Sequence, residues 1–262
     1  MSEAQRRSPV SALLALPLLL LLGVPVVMLI MRASPGAIAT ELRDRETLSA
    51  IGLSLASSSV ALVVSVVLGV PLAYWLARTR GHAGIIAETL VDLPTVLPPS
   101  VAGIALLLTF GRMGVLGGAM RWAGIDIAFT SAAVVVAQVF VASPYFVRAA
   151  RAGFASVGSD LREAALMDGA TGWRLVRHVL VPQAGPALAG GAAMCWGRAI
   201  GEFGATIIFA GNFPGRTQTM PLAVYLGLEN NLDRALVLST LLIAISVLVL
   251  LGVRMSGWRP VR

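Results

Sequence analysis

Residues 12–31 form a run of twenty without a single charge. A helix needs about 20 mostly apolar residues to cross roughly 30 Å of hydrocarbon, so this run constrains the fold before anything else does. The rest of the chain agrees. Its 262 residues are 57% hydrophobic and 13% charged, whereas about 25% are charged in an average soluble domain. Too little polar surface remains to keep a globule of this size wet. Within lipid every backbone polar group needs a partner in its own segment or in a closed barrel, and the length of the runs selects helices. The expected fold class is an all-α integral membrane protein. Arg6 and Arg7 ahead of the first run also suit a signal peptide. The run exceeds the usual apolar region of about 7–15 residues, however, so an uncleaved first helix is expected.

Five further apolar stretches follow at 51–77, 85–110, 131–147, 183–210 and 235–253. With 12–31 they make six transmembrane helices in one domain covering 1–262. Ser57, Ser58, Ser59 and Pro71 suit the second stretch to helix packing and a kink rather than a lipid-facing surface. The third is irregular, with Glu88 and Asp92 near its start and Pro94, Pro98 and Pro99 interrupting it. Such backbone persists at membrane depth only against protein or a water-filled cavity. Two readings stand: a pathway helix, or a cytoplasmic elbow followed by a short span. Segments 32–46, 112–126 and 211–234 read as loops, and no internal repeat or low-complexity tail occurs.

All twenty basic residues are Arg, and Lys is absent. A Walker A lysine, a Schiff-base lysine and a protein-kinase lysine are thereby excluded. Cys195 is the sole cysteine, so it forms no intrachain disulfide and reads as a small packing residue. His82 and His178 lie far apart in charged stretches, which argues against a metal centre. No catalytic constellation appears. With the N-terminus inside, the cytoplasmic face holds twelve arginines: Arg6 and Arg7, Arg78 and Arg80, Arg148 and Arg151, Arg162, Arg174 and Arg177, and Arg254, Arg259 and Arg262. The opposite face holds seven, and Arg198 lies within a span. This bias places both termini in the cytoplasm. It also accounts for the net charge of +7 through the lipid bilayer, without nucleic acid.

The longest hydrophilic segment on that face contains residues 159–182. Asp160 and Glu163 have capping-box spacing, which predicts a helix from Leu161. Gly169 is placed to end that helix in a left-handed turn. Thr171 can cap a second helix, on which Trp173, Val176 and Leu180 share a face. Pro182 then opens the fifth span, where its missing N–H is harmless. An amphipathic loop lying on the bilayer is the alternative, but two alanines beside a glutamate make a poor membrane anchor.

This segment resembles the signature of the permease subunits of ATP-binding-cassette (ABC) importers: Glu-Ala-Ala, three residues, Gly, nine residues, then Ile-x-Leu-Pro. Here it reads Glu163, Ala164, Ala165, Gly169, then Val179, Leu180, Val181, Pro182, with Val replacing Ile and Leu. The chain from Asp92 to Gly103 and from Gly201 through Leu222, including the run Asn212-Phe213-Pro214-Gly215-Arg216-Thr217-Gln218-Thr219, is similar to molybdate-type permeases. The resemblance implies the type I ABC importer permease fold, in the cytoplasmic (inner) membrane of a prokaryote. It further implies a second copy of this chain, two ATP-binding subunits carrying ATP and Mg²⁺, and an extracytoplasmic substrate-binding protein. This chain itself would bind no cofactor and perform no catalysis. Glu163, Ala164, Ala165, Gly169 and Pro182 would couple to the ATPase subunit. Pro94, Thr95, Pro98, Pro99 and Ser100 would line the translocation path or its gate. The implied cargo is an oxyanion, molybdate first, with sulfate or thiosulfate as the alternative. An ion-coupled secondary transporter would need its own coupling site and usually an internal repeat, and neither is present in the sequence.

Arg198 and Glu202 join the candidate path residues. They stand four apart, on one face of a helix, and ionisable groups at membrane depth are expensive. Arg198 could offer charge to a passing oxyanion, or the two could simply neutralise each other in the bundle. Glu88 and Asp92 repeat the spacing and are expected to contact nearby arginines.

Overall fold

The computed structural model describes residues 9–79 and 81–257. Arg6, Arg7, Arg80, Arg259 and Arg262, used above for orientation, lie outside the described residues. Among those described, all regular structure is helical. In chain order the helices are α1 (Pro9–Arg32), α2 (Pro35–Glu41), α3 (Arg45–Arg78), α4 (His82–Val96), α5 (Pro99–Phe110), α6 (Gly117–Trp122) and α7 (Ser131–Ala155). There follow α8 (Ser159–Met167), α9 (Gly172–Leu175), a π-helical turn (Val176–Leu180), α10 (Val181–Gln183), α11 (Gly185–Ile200), α12 (Gly204–Phe209), α13 (Met220–Asn230) and α14 (Leu232–Gly257).

The core is the packing of α3, α7 and α11. Their facing stripes are made of small residues, including Ala61, Ala73, Ala142, Ala150, Cys195 and Ala199 around Phe146 and Val147. Close approach of helices is what small residues allow where lipid offers no hydrophobic driving force. A Cβ added at Gly69 would stand 2.8 Å from the Phe146 ring, and one at Gly191 would stand 2.5 Å from the Ala149 Cβ. Ser54, Ser57 and Ser58 are buried on α3, and the Ser54 hydroxyl accepts the Met220 N–H at 2.7 Å, tying α13 to α3. By contrast, α1 leaves its leucines exposed and packs against α14, as a lipid-facing helix would.

Among the described residues four helices are long and apolar enough to cross a membrane, and a fifth if α4 and α5 count as one span bent by 116°. The irregular stretch at 85–110 is thus two helices, the elbow α4 and the short α5, broken at the prolines the sequence placed there. Leu97 and Pro98 each precede a proline and are driven out of the helical region. Both are extended, at φ −65°, ψ 136° and φ −54°, ψ 136°. The run expected at 183–210 also breaks. The 16 residues of α11 span about 24 Å, and the chain restarts as α12 only after Gly201, Glu202 and Phe203.

The segments read as loops hold helices α2, α6 and α13. At 32–46 the reason is capping: the Ser34 hydroxyl accepts from the Ala37 N–H at 3.1 Å, with Pro35 in the first turn. The Asp44 carboxylate likewise accepts from Thr47 N–H at 2.9 Å and starts α3 at Arg45. The 34 residues of α3 give the bundle a length of about 51 Å. One end carries α2 and Arg234; the other carries residues 159–182, whose Leu175, Val176 and Leu180 pack in one cluster with Ala73 and Leu76.

Candidate functional site

Two helix breaks meet in the middle of the bundle. The prolines at 98 and 99 end α4 and start α5, and α12 packs against α5 at a distance only glycine permits. A Cβ on Gly204 would lie 2.4 Å from the Pro99 Cβ, and one on Gly103 would lie 2.7 Å from the Ile208 Cβ. The break before α12 is held by Glu202, whose Oε1 accepts the Ala205 N–H at 2.7 Å. Its Oε2 lies 2.6 Å from Arg198 Nη1. The four-residue spacing therefore does form an ion pair, although Glu202 stands beyond the end of α11. The pair is lopsided: the Glu202 side chain is 1% exposed and the Arg198 side chain 28%.

Arg198 faces two cavities. One, of about 130 Å³, is lined by Pro94, Thr95, Leu97, Pro99, Ala102, Val141, Tyr145 and Arg198. The other, of about 340 Å³, lies between α7, α11 and α14 and shares Tyr145 and Arg198. The structure thus brings together Pro94, Thr95, Pro99 and Arg198 from the expected path residues. Pro98 and Ser100 are exposed beside the elbow, outside the lining of either cavity, and Glu202 sits behind Arg198. The Thr95 hydroxyl donates to the Asp92 carbonyl at 2.7 Å, leaving its oxygen to the notch only as an acceptor. Tyr145 was missed in the sequence. Its signal was the lone phenol in the fourth apolar stretch, next to Pro144.

At the end of the bundle that carries 159–182, α8 stops in a Schellman turn. Gly169 has φ +80°, its N–H bonds to the Leu166 carbonyl at 3.0 Å, and the Ala170 N–H bonds to the Ala165 carbonyl at 2.9 Å. This is the left-handed end expected for Gly169. The capping box is corrected. The helix begins at Ser159 with Gly158 at its N-cap and no side-chain cap bond, so Asp160 is already inside the first turn. Thr171 occupies the N-cap of α9, but its side chain makes no cap bond. Glu163, Ala164 and Gly169 are exposed and Ala165 half-buried. Around them stand the exposed apolar side chains of Leu161, Leu166, Met167 and Trp173.

The face expected to join Trp173, Val176 and Leu180 is also corrected. Val176 and Leu180 are buried with Leu175, while Trp173 is 59% exposed. The turn that follows Leu175 is π-helical. Pro182 has no N–H to give and its ring crowds the carbonyl four residues back, and the Val181 N–H instead reaches the Val176 carbonyl. The widened turn sets Leu175 and Leu180, five residues apart, on the same buried side. Pro182 itself is exposed within α10.

Two ion pairs fasten the elbow to α7 near this end: Arg148–Asp92 at 2.5 Å and Arg151–Glu88 at 2.6 Å. These are the arginine contacts expected for Glu88 and Asp92. The opposite end holds a cluster that the sequence did not suggest. Arg234 meets Glu41 at 3.1 Å, Asp44 at 2.7 Å and Glu46 at 2.9 Å. Glu41 also accepts from the Thr47 hydroxyl and Asn231 Nδ2. The Thr47 N–H, and beside it the Arg234 guanidinium, hold the Asp44 carboxyl below the usual carboxylate range despite some loss of hydration. Among the described residues no group of His, Cys, Asp and Glu is arranged to hold a metal ion.

Residues 65–257 match the family described as the inner membrane component of binding-protein-dependent transport systems. The chain belongs to that family, and it is a multi-pass membrane permease component. Among its relatives, the molybdenum transport system permease protein ModB of Mycobacterium tuberculosis is 42% identical over 205 residues, 78% of each chain. The probable transport system permease protein NifC of Clostridium pasteurianum is 36% identical over 233 residues, 88% of this chain and 82% of its own. The fold is that of ABC importer permeases. A bacterial transporter for the acidic polysaccharide alginate superposes with a TM-score of 0.75 at 17% identity, covering 97% of this chain and 96% of that one.

Proposed function

We propose that this chain is the membrane-spanning subunit of an ATP-driven importer of a tetrahedral oxyanion, molybdate foremost. The observation that carries the reading is the exposed helix–Gly169–helix segment, anchored in the bundle by Leu175, Val176 and Leu180 and surrounded by apolar side chains left exposed by the described residues. A rigid turn with a wet apolar rim is a docking surface for a moving partner, and the ATP-hydrolysing subunit is the partner whose motion has to reach the membrane. The similarity to ModB and the run 212–219 support molybdate as cargo.

In this reading two copies of the chain pair in the inner membrane. Each contributes six spans, two of them the broken pairs α4–α5 and α11–α12, and both termini lie in the cytoplasm. Two ATPase subunits hold ATP and Mg²⁺ against the 159–182 segments, an external binding protein delivers the anion at the Arg234 end, and this chain holds no cofactor. The segment joins α11 through the π-helical turn and α10, so a push on Gly169 is delivered to the helix that bears Arg198. Pro94, Thr95, Pro99 and Arg198 then line the passage. The test is ATP hydrolysis by the complex in proteoliposomes. Molybdate-loaded binding protein should stimulate it, and stimulation by a sugar- or amino-acid-loaded binding protein instead would refute the reading.

A further inference from the structure

An arginine at membrane depth next to a glutamate need do nothing more than neutralise it, and such a pair is best buried evenly. This one is not. Glu202 is sealed at 1% exposure and fixed from behind by the Ala205 N–H at 2.7 Å, whereas Arg198 is 28% exposed and borders both cavities. The pair turns its positive member to the open space and hides its negative one. A guanidinium carries five N–H donors, and the contact with Glu202 engages Nη1. The smaller cavity, about 130 Å³, is large enough for one small ion, since a water occupies about 30 Å³ of liquid.

From this geometry we infer that the notch between the Pro94–Pro99 elbow, Tyr145 and Arg198 is a transient station for the oxyanion, and that Glu202 is a built-in counter-anion that limits how long Arg198 holds it. The inference rests on the oxyanion-importer reading and deepens it. An unopposed arginine in a low-dielectric notch would bind a dianion too firmly for rapid passage, because Coulomb attraction rises as the dielectric falls. Glu202 shares the guanidinium and repels the cargo, so the anion is met and then released. In this account Arg198 is the anion-binding residue and Glu202 a positioning residue that acts through it.

The experiment uses the complete complex, nucleotide-free and without binding protein, and measures equilibrium binding of radiolabelled molybdate beside ATP-driven uptake in proteoliposomes. Glu202→Gln keeps an acceptor for the Ala205 N–H but removes the charge. It should bind molybdate about tenfold more tightly than wild type, or better, and take it up more slowly. Arg198→Gln should lose the binding. Should Glu202→Gln fail to assemble with the ATPase subunit, Arg198→Lys carries the test: it keeps the charge but not the planar fork, and its binding should fall about tenfold in an assembled complex. Binding unchanged in Glu202→Gln and Arg198→Gln, or unchanged in Arg198→Lys, overturns the station. So does a neutral double variant, Arg198→Gln with Glu202→Gln, that restores wild-type uptake, since that is the behaviour of a structural pair. Failure of the importer reading looks different: the wild-type complex itself takes up no molybdate.

Discussion

Replacing Gly169 isolates coupling from folding. At φ +80° the residue lies in the left-handed region, which L-residues enter at about 1–2 kcal/mol. Among the described residues, none other than the two chain neighbours comes within 4 Å of a Cβ built there, so alanine meets no clash and its cost is that of the backbone conformation. Valine adds the restriction of a β-branched side chain in a conformation where such residues are outliers, raising the cost to about 2 kcal/mol or more. A change of 1–2 kcal/mol shifts an equilibrium by a factor of about 5–30. The strain falls on the Ala170–Ala165 and Gly169–Leu166 bonds that close the turn, in an exposed segment away from the α3–α7–α11 packing. Gly169→Ala should therefore weaken capture of the ATPase subunit several-fold, and Gly169→Val roughly thirtyfold, with transport falling in step. Membrane expression should stay at the wild-type level. The assay is co-purification of the ATPase subunit alongside uptake in the same membranes. Normal uptake by a well-expressed Gly169→Val variant would refute the reasoning.

Gly204→Ala places a Cβ 2.4 Å from that of Pro99 and should cost about 1–3 kcal/mol by overpacking. Lower thermal stability in detergent, with ATPase-subunit capture retained, is the expected outcome. Arg234→Ala removes the one cation shared by Glu41, Asp44 and Glu46; Glu41 keeps its bonds from Thr47 and Asn231, so the loss should be on the order of 1 kcal/mol, read as a drop in melting temperature. Asp44 has a lowered carboxyl pKa, so its contribution is full above the unfolded value of about 3.9 and fades as pH falls through the lower folded value. The melting-temperature gap between wild type and Asp44→Asn should stay constant from neutral pH down to about 5 and close below about 4.

How far the sequence reveals this molecule differs from site to site. The turn at Gly169 is legible because a glycine after a short helix has one common use, and its φ follows. The elbow is half legible: two adjacent prolines forbid a continuous helix, but its 116° bend depends on where Glu88 and Asp92 find Arg151 and Arg148, some 60 residues away. The break at 201–203 is concealed, because residues 183–210 carry no proline after Pro186 and their one charged pair, Arg198 and Glu202, has the four-residue spacing of a continuous helix. It becomes visible only when the Glu202 carboxylate turns back to the Ala205 N–H. The π-helical turn is hidden for a similar reason. Pro182 signals a missing donor, yet whether the chain kinks, stops or widens is decided by burying Leu175 together with Leu180. The cluster around Arg234 gathers charges nearly 200 residues apart, from the end of α2 and the starts of α3 and α14, and no local spacing announces it.

The central claim is that this chain passes a tetrahedral oxyanion, molybdate before others, when ATP is hydrolysed beside it. Uptake of radiolabelled molybdate into proteoliposomes holding the chain, its ATPase subunit and its binding protein tests this most directly, with unlabelled sulfate as competitor. The account predicts uptake that requires ATP and the binding protein, and that equimolar sulfate barely reduces. Uptake independent of ATP, or uptake of sulfate in preference to molybdate, would contradict it.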